Sequence, residues 1–169
     1  HHLVCDRWSQ ILFVRELVAL YRAGLEGRPA ALPELGLRYV DYAAWQDRWM
    51  SPERVGEQLA YWKDRLAGAP AALELPTDRP RPAVQTWRGA RLSHPLNKAL
   101  VDGCQALARE TGGTLFMVLA AALAVVLGRQ AGSADVLLGT PIAGRGRTEL
   151  EGLVGFFVNT LVLRVALAG

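Results

Sequence analysis

His1-His2-Leu3-Val4-Cys5-Asp6-Arg7-Trp8-Ser9 is the stretch from which the rest of this 169-residue chain can be read. Two adjacent histidines are followed by a short apolar step, a carboxylate and a serine. Imidazole has the ordinary pKa nearest neutrality, so it can take or give a proton at working pH. A carboxylate a few residues on can fix an imidazole or anchor the loop that carries it. Ser9 suits an N-cap and predicts a helix from Ser9 to about Leu25, its N-terminal partial charge aimed back at the loop. Ile11, Val14, Val18, Tyr21 and Leu25 recur at three- and four-residue steps and make one apolar stripe. Gly24 and Gly27 supply the stop, and Arg28-Pro29 begins a linker.

Moving outward, Leu32 to Trp49 reads as a helix after a turn at Pro33, with aromatics at Tyr42, Trp45 and Trp49. Ser51-Pro52 opens another helix, Ser as cap and Pro at the first helical position, and Gly68 and Pro70 stop it. Prolines in Leu75-Pro76-Thr77-Asp78-Arg79-Pro80-Arg81-Pro82 impose an extended connector. Thr86 to Leu96 predicts a strand, and a helix follows from Leu96 or Asn97 to about Glu110. Thr114 caps a helix over Leu115 to Gln130 that is apolar nearly all round, as in a packed layer. Ala134 to Thr140 predicts a short buried strand, Pro141 to Arg147 a loop, Glu149 to Leu153 a helical turn, and Phe156 to Leu167 a strand rich in β-formers.

Composition narrows the function. Hydrophobic residues are 51% and charged residues 21%, in the range of a globular protein. The net charge of +3 comes from scattered arginines, with no dense basic run interleaved with aromatics, so no nucleic-acid partner is expected. The apolar run Leu115 to Leu127 falls short of the ~20 residues of a membrane span, and no membrane partner is expected. Cys5 and Cys104 fit no Cys-x-x-Cys pattern and read as reduced thiols of a cytoplasmic protein. The loop at Pro141 to Arg147 lacks a phosphate-cradle pattern. Metal binding by His1, His2 and Asp6 is disfavoured, because adjacent histidines seldom face one ion and no further cluster completes a shell. Cys5 beside His2 suggests a thiol nucleophile, but its apolar neighbours favour an inert thiol.

The opening stretch resembles the His-His-x-x-x-Asp-Gly signature of the condensation domains of nonribosomal peptide synthetases, except that Arg7 stands where the motif has Gly. Tyr39-Val40-Asp41-Tyr42-Ala43-Ala44-Trp45 resembles their Tyr-x-Asp-Tyr-Ala-x-Trp motif, and Val154-Gly155-Phe156-Phe157-Val158-Asn159-Thr160-Leu161 resembles Gly-x-Phe-Val-Asn-Thr. The proline connector is also similar to theirs. The resemblance implies an α/β, two-lobe chloramphenicol-acetyltransferase-like acyltransferase fold, here a fragment with helices packed on a mixed sheet. Residues 1–28 would end the N-terminal lobe, and 29–169 would be linker and partial C-terminal lobe. As a middle piece, the isolated chain is expected not to catalyse.

The implied reaction is amide formation between acyl groups carried as thioesters on phosphopantetheine arms. Those arms belong to upstream and downstream peptidyl carrier proteins; the domain has no cofactor of its own, and an adenylation domain is its neighbour. By the resemblance His2 is the catalytic position, as general base or as a group that orients the amine. His1 is supporting, turned into the core. Asp6 is structural and pairs with an arginine, for which Arg145 is the candidate. Arg7, Trp8, Ser9 and Asn159 would line the channel. Gly at position 7 would allow positive φ and leave space for a pantetheine arm, so Arg7 implies either a side chain swung to solvent or a narrowed channel. Two alternatives stand beside this reading: a coenzyme A-type acyltransferase and a truncated, non-catalytic docking or scaffold piece. The first shares the histidine motif but should lack the other two.

Overall fold

A computed structural model describes residues 1–80 and 82–167; Arg81 of the proline connector lies outside the described residues. The elements are α1 (Arg7–Leu25), α2 (Tyr39–Trp49), α3 (Pro52–Arg65), α4 (Lys98–Glu110), α5 (Leu115–Ala131), β1 (Asp135–Ile142), a 3-10 turn (Thr148–Leu150) and β2 (Asn159–Ala166). They fall into two compact units, one of residues 1–67 with 139–161, the other of 68–138 with 162–169.

Capping residues decide where the helices begin. α1 starts two residues before Ser9, because Asp6 is the cap: its carboxylate accepts the Ser9 N–H at 2.8 Å. α2 starts at Tyr39 and not near Leu32, since Pro33 and Gly36 precede it and Arg38 is extended, with its N–H capped by Asp41 at 2.9 Å. Ser51 with Pro52, Asn97 and Thr114 cap α3, α4 and α5. α5 ends on Gly132 in the left-handed region (φ 62°), where Gly meets no side-chain clash.

β1 and β2 pair as the two strands of one sheet. Leu167 N–H donates to the Ala134 carbonyl at 2.7 Å and Thr160 lies against Gly139, so one strand's numbers rise as the other's fall: the pair is antiparallel. β2 begins at Asn159, later than the expected Phe156. The reason is that backbone groups of Gly155, Phe156 and Phe157 are taken by side chains and not by a ladder. The strand expected over Thr86–Leu96 does not form; no partner strand lies along it among the described residues, and Trp87 sits in the left-handed region (φ 58°).

The first unit has its core at Leu150, Leu153 and Phe157, with Tyr39 and Tyr42 packed against them. The α1 stripe read from the sequence does not face that core: Ile11, Val14, Val18, Tyr21 and Leu25 are exposed, and the buried α1 residues are Ser9, Leu12 and Ala23. In the second unit, a Cβ on Gly128 of α5 would meet Val136 of β1 at 3.3 Å, so helix and strand pack closely. Ala124 and Gly128 are the buried residues of α5, whose Phe116, Leu123 and Val126 are exposed. Among the described residues no single helix is long and apolar enough to cross a membrane.

Candidate functional site

The site is built on Asp6, which is fully buried at the start of α1. Its Oδ1 accepts the Ser9 N–H and lies 2.8 Å from the Ser9 hydroxyl; its Oδ2 accepts the Phe157 N–H at 3.1 Å. Arg145 Nη2 stands 3.3 and 3.4 Å from the two oxygens. Burial pushes this carboxyl up, but the two Ser9 donors, the Phe157 N–H and the Arg145 charge together outweigh it and hold Asp6 below the usual carboxylate range.

Arg145 is as deeply placed as its partner, each side chain being 1% exposed. Its Nη1 donates to the carbonyls of Leu150 and Leu153, and its Nη2 also donates to Ser9 Oγ at 3.0 Å. The guanidinium lies over the Phe157 ring, 3.9 Å from its centre, and 5.7 Å from the Trp8 ring. One cation thus ties the 3-10 turn to the head of α1. Ser9 Oγ accepts from Arg145 and from the Gly155 N–H at 3.0 Å. Its single proton is shared between Asp6 Oδ1 and the Gly155 carbonyl, 2.7 Å away.

The segment 155–157 is gripped from the other side by α2. Tyr39 donates its hydroxyl to the Phe156 carbonyl at 2.7 Å. Its ring lies so close to Gly155 that a Cβ there would be 2.1 Å from Tyr39 Cδ2. Phe157 packs edge-on to Tyr39 at 5.1 Å and against Tyr42 at 4.7 Å. Gly144, in the loop that leads to Arg145, has φ 66°, and a Cβ there would fall 1.9 Å from the Phe157 carbonyl oxygen. The three sequence motifs therefore meet within the first unit.

Both motif histidines are exposed. His1 is not turned into a core; its Nδ1 accepts the Leu3 N–H at 3.1 Å within the surface turn. His2 Nδ1 is 3.2 Å from the Cys5 carbonyl. A carbonyl only accepts, so this bond belongs to the tautomer with the proton on Nδ1, in which Nε2 keeps its lone pair. The Phe156 ring stands edge-on to His2 at 6.2 Å and 69°. Asp6 has Ser9, Phe157 and Arg145 as its partners, so it anchors the loop and does not touch either imidazole.

The expected channel residues are scattered. Arg7 is exposed at the first position of α1, and its φ is not positive, so nothing in the backbone at that position requires Gly. Trp8 is 40% exposed and donates from Nε1 to the Glu151 carbonyl at 2.9 Å. Ser9 faces Gly155 and Arg145, not an opening. Asn159 is exposed, its Oδ1 accepting the Thr160 N–H at 2.8 Å. Two clefts lie nearby: one of about 220 Å³ between Tyr42, Trp45 and Arg147, the other of about 350 Å³ between Trp8, Leu12 and Arg15. Neither is lined by His2. Sequence reasoning did not single out Tyr39, Phe156 and Phe157 as site residues, although all three lie inside its motifs.

Comparison with known proteins gives three kinds of match. A family model described as Condensation domain matches residues 1–169. One component of the linear gramicidin synthase of Brevibacillus parabrevis is 49% identical over 169 residues, all of this chain and 3% of that protein. The crystal structure of the X-domain from teicoplanin biosynthesis superposes with a TM-score of 0.89 at 28% identity, over 100% of this chain and 39% of that one. The first condensation domain of the CDA synthetase superposes with a TM-score of 0.77 at 27% identity, over 100% and 36%. The chain therefore spans a small part of its curated relative and less than half of either solved chain.

Proposed function

The chain belongs to the condensation-domain family, and from that premise we propose that it forms part of the site where a nonribosomal peptide synthetase joins two carrier-bound acyl groups. The amine of the acceptor attacks the thioester carbon of the donor; the new C–N bond forms and the C–S bond breaks. The attacking nitrogen loses a proton, and the departing sulfur needs one.

In this reading His2 handles that proton. The observation that carries this reading is the hydrogen bond from Nδ1 to the Cys5 carbonyl at 3.2 Å, which leaves the Nε2 lone pair to accept. Nε2 takes the proton from the amine, or holds the amine in line as it bonds, and the proton passes to the thiolate that leaves. Asp6 and Arg145 hold the loop from which His2 projects and transfer nothing. The phosphopantetheine arms belong to upstream and downstream carrier proteins, with an adenylation domain alongside, all in the cytoplasm. In this reading residues 1–28 close the first lobe, and 29–169 are linker and part of the second.

The test uses a polypeptide that carries this chain within a full-length condensation domain, with two carrier proteins loaded with aminoacyl thioesters. The product thioester is followed by mass spectrometry. His2→Ala is expected to lower the rate by about 10²- to 10⁴-fold. A rate within twofold of the parent would sink the assignment. Arg7→Gly in the same assay asks whether the Arg7 side chain narrows the channel: equal rates would place it harmlessly in solvent, and a faster variant would assign it an inhibitory part.

A further inference from the structure

We propose that Phe156, fixed in place by Tyr39, is a positioning residue for His2, keeping the imidazole in the orientation in which Nδ1 reaches the Cys5 carbonyl. The inference rests on the reading above, in which His2 Nε2 meets the reacting amine.

The need for a second support follows from the first. The His2–Cys5 bond is 3.2 Å long and exposed. Such a bond competes with water and holds a ring weakly by itself. An imidazole free to turn about its last torsion loses the Cys5 carbonyl as a partner for Nδ1, and without that partner nothing keeps the ring proton on Nδ1 and the lone pair on Nε2. Phe156 limits that freedom, its ring edge-on at 6.2 Å and 69°. A T-shaped contact of this kind is attractive and directional.

Phe156 can do this only if its own backbone is held, and it is held at each residue from 155 to 157. Gly155 is pinned between Ser9 and the Tyr39 ring. The carbonyl of Phe156 accepts the Tyr39 hydroxyl at 2.7 Å. The Phe157 N–H is bound by Asp6, and the residue is 5% exposed. Phe156 itself is 41% exposed, so it contributes little to the core that these anchors serve. A large aromatic, weakly buried and rigidly mounted against an imidazole, fits a task of orientation better than one of stability.

The measurement is nitrogen NMR of a full-length condensation domain carrying this chain, with labelled histidine, His2 being identified as the signal lost in His2→Gln. The parent is expected to show His2 chiefly with Nδ1 protonated, and cross-relaxation between its ring protons and those of Phe156. Absence of that cross-relaxation in the parent would overturn the proposal without any variant. In Phe156→Leu and in Tyr39→Phe, which removes one hydroxyl, the Nδ1–H form should lose its dominance; Phe156→Tyr should restore it. A tautomer balance in folded Phe156→Leu identical to the parent's would also overturn it.

In the condensation assay, Phe156→Leu should lower kcat by about tenfold or more with KM within about twofold, the pattern of a lost transition-state arrangement. If His2→Ala keeps its rate, the reading of the site fails, whatever the NMR shows. If His2→Ala loses its rate while the His2 tautomer ignores Phe156 and Tyr39, the site stands and the positioning role falls.

Discussion

Asp6 carries a charge where no solvent reaches it, and its neighbours are all donors. That arrangement is stable only with both members of the pair present. Asp6→Asn would turn an amide group toward the Arg145 or Phe157 donors and leave the guanidinium without its counter-charge, at a cost of about 3–5 kcal/mol. Arg145→Met would cost a similar amount, because it also frees the carbonyls of Leu150 and Leu153. The double variant should lose less than the sum of the two in urea melts, and strict additivity would deny the coupling. The pH dependence has a definite sign. The folded-state pKa of Asp6 lies below its unfolded value near 3.9, so its stabilisation is complete above that value. It is lost as pH falls toward and through the lower, folded value. Circular dichroism should show an acid limb that is shallower in Asp6→Asn. The pairing of Asp6 with Arg145 was legible through the motif, since residues 139 apart can be matched only by a known pattern. Asp6 and Ser9 are both good caps in sequence, and only the fold shows that Asp6 takes that role while Ser9's proton and lone pairs are engaged by Asp6, Gly155 and Arg145.

At the level of elements, helix ends were readable wherever a capping side chain and a breaker coincide, as at Ser51-Pro52 and Thr114. Strands were less so, because a strand is a property of two segments. Thr86–Leu96 sets Trp87, Ala90 and Leu92 among arginines but has no partner strand among the described residues, and Phe156–Val158 has a strand's composition but surrenders backbone groups to Asp6 and Tyr39. The tight approach of α2 to the 155–157 segment makes a sharp prediction. Gly155→Ala must push the Tyr39 ring aside, since the added carbon would overlap Cδ2 and Cε2. The expected loss is about 1–3 kcal/mol. Tyr39→Leu in the same background should recover part of it if the ring is the obstacle. A double variant no more stable than Gly155→Ala alone would place the strain elsewhere, in the backbone of residue 155 itself.

For the molecule as a whole, the distribution of apolar surface matters more than any one contact. Within the first unit, α1 presents Ile11, Phe13, Val14, Leu17, Leu20 and Tyr21 at 50% exposure or more. Within the second, α5 leaves Phe116, Met117, Leu123 and Val126 similarly open. Scattered apolar residues are normal on a surface, but helices open on several sides form patches, and patches of that kind associate. The sequence hinted at this, since α5 is apolar nearly all round; what it concealed is that the α1 stripe looks away from the Leu150–Phe157 core. The 18.4 kDa chain in isolation should therefore show an apparent mass that rises with concentration in light scattering, and should enhance the fluorescence of an apolar dye. Leu17→Lys together with Phe13→Glu should shift it toward the monomer at small cost in stability, because neither side chain is buried. If the parent chain is monomeric at every concentration and binds no dye, these side chains do not form a contiguous patch, and the apolar faces of α1 and α5 need no partner.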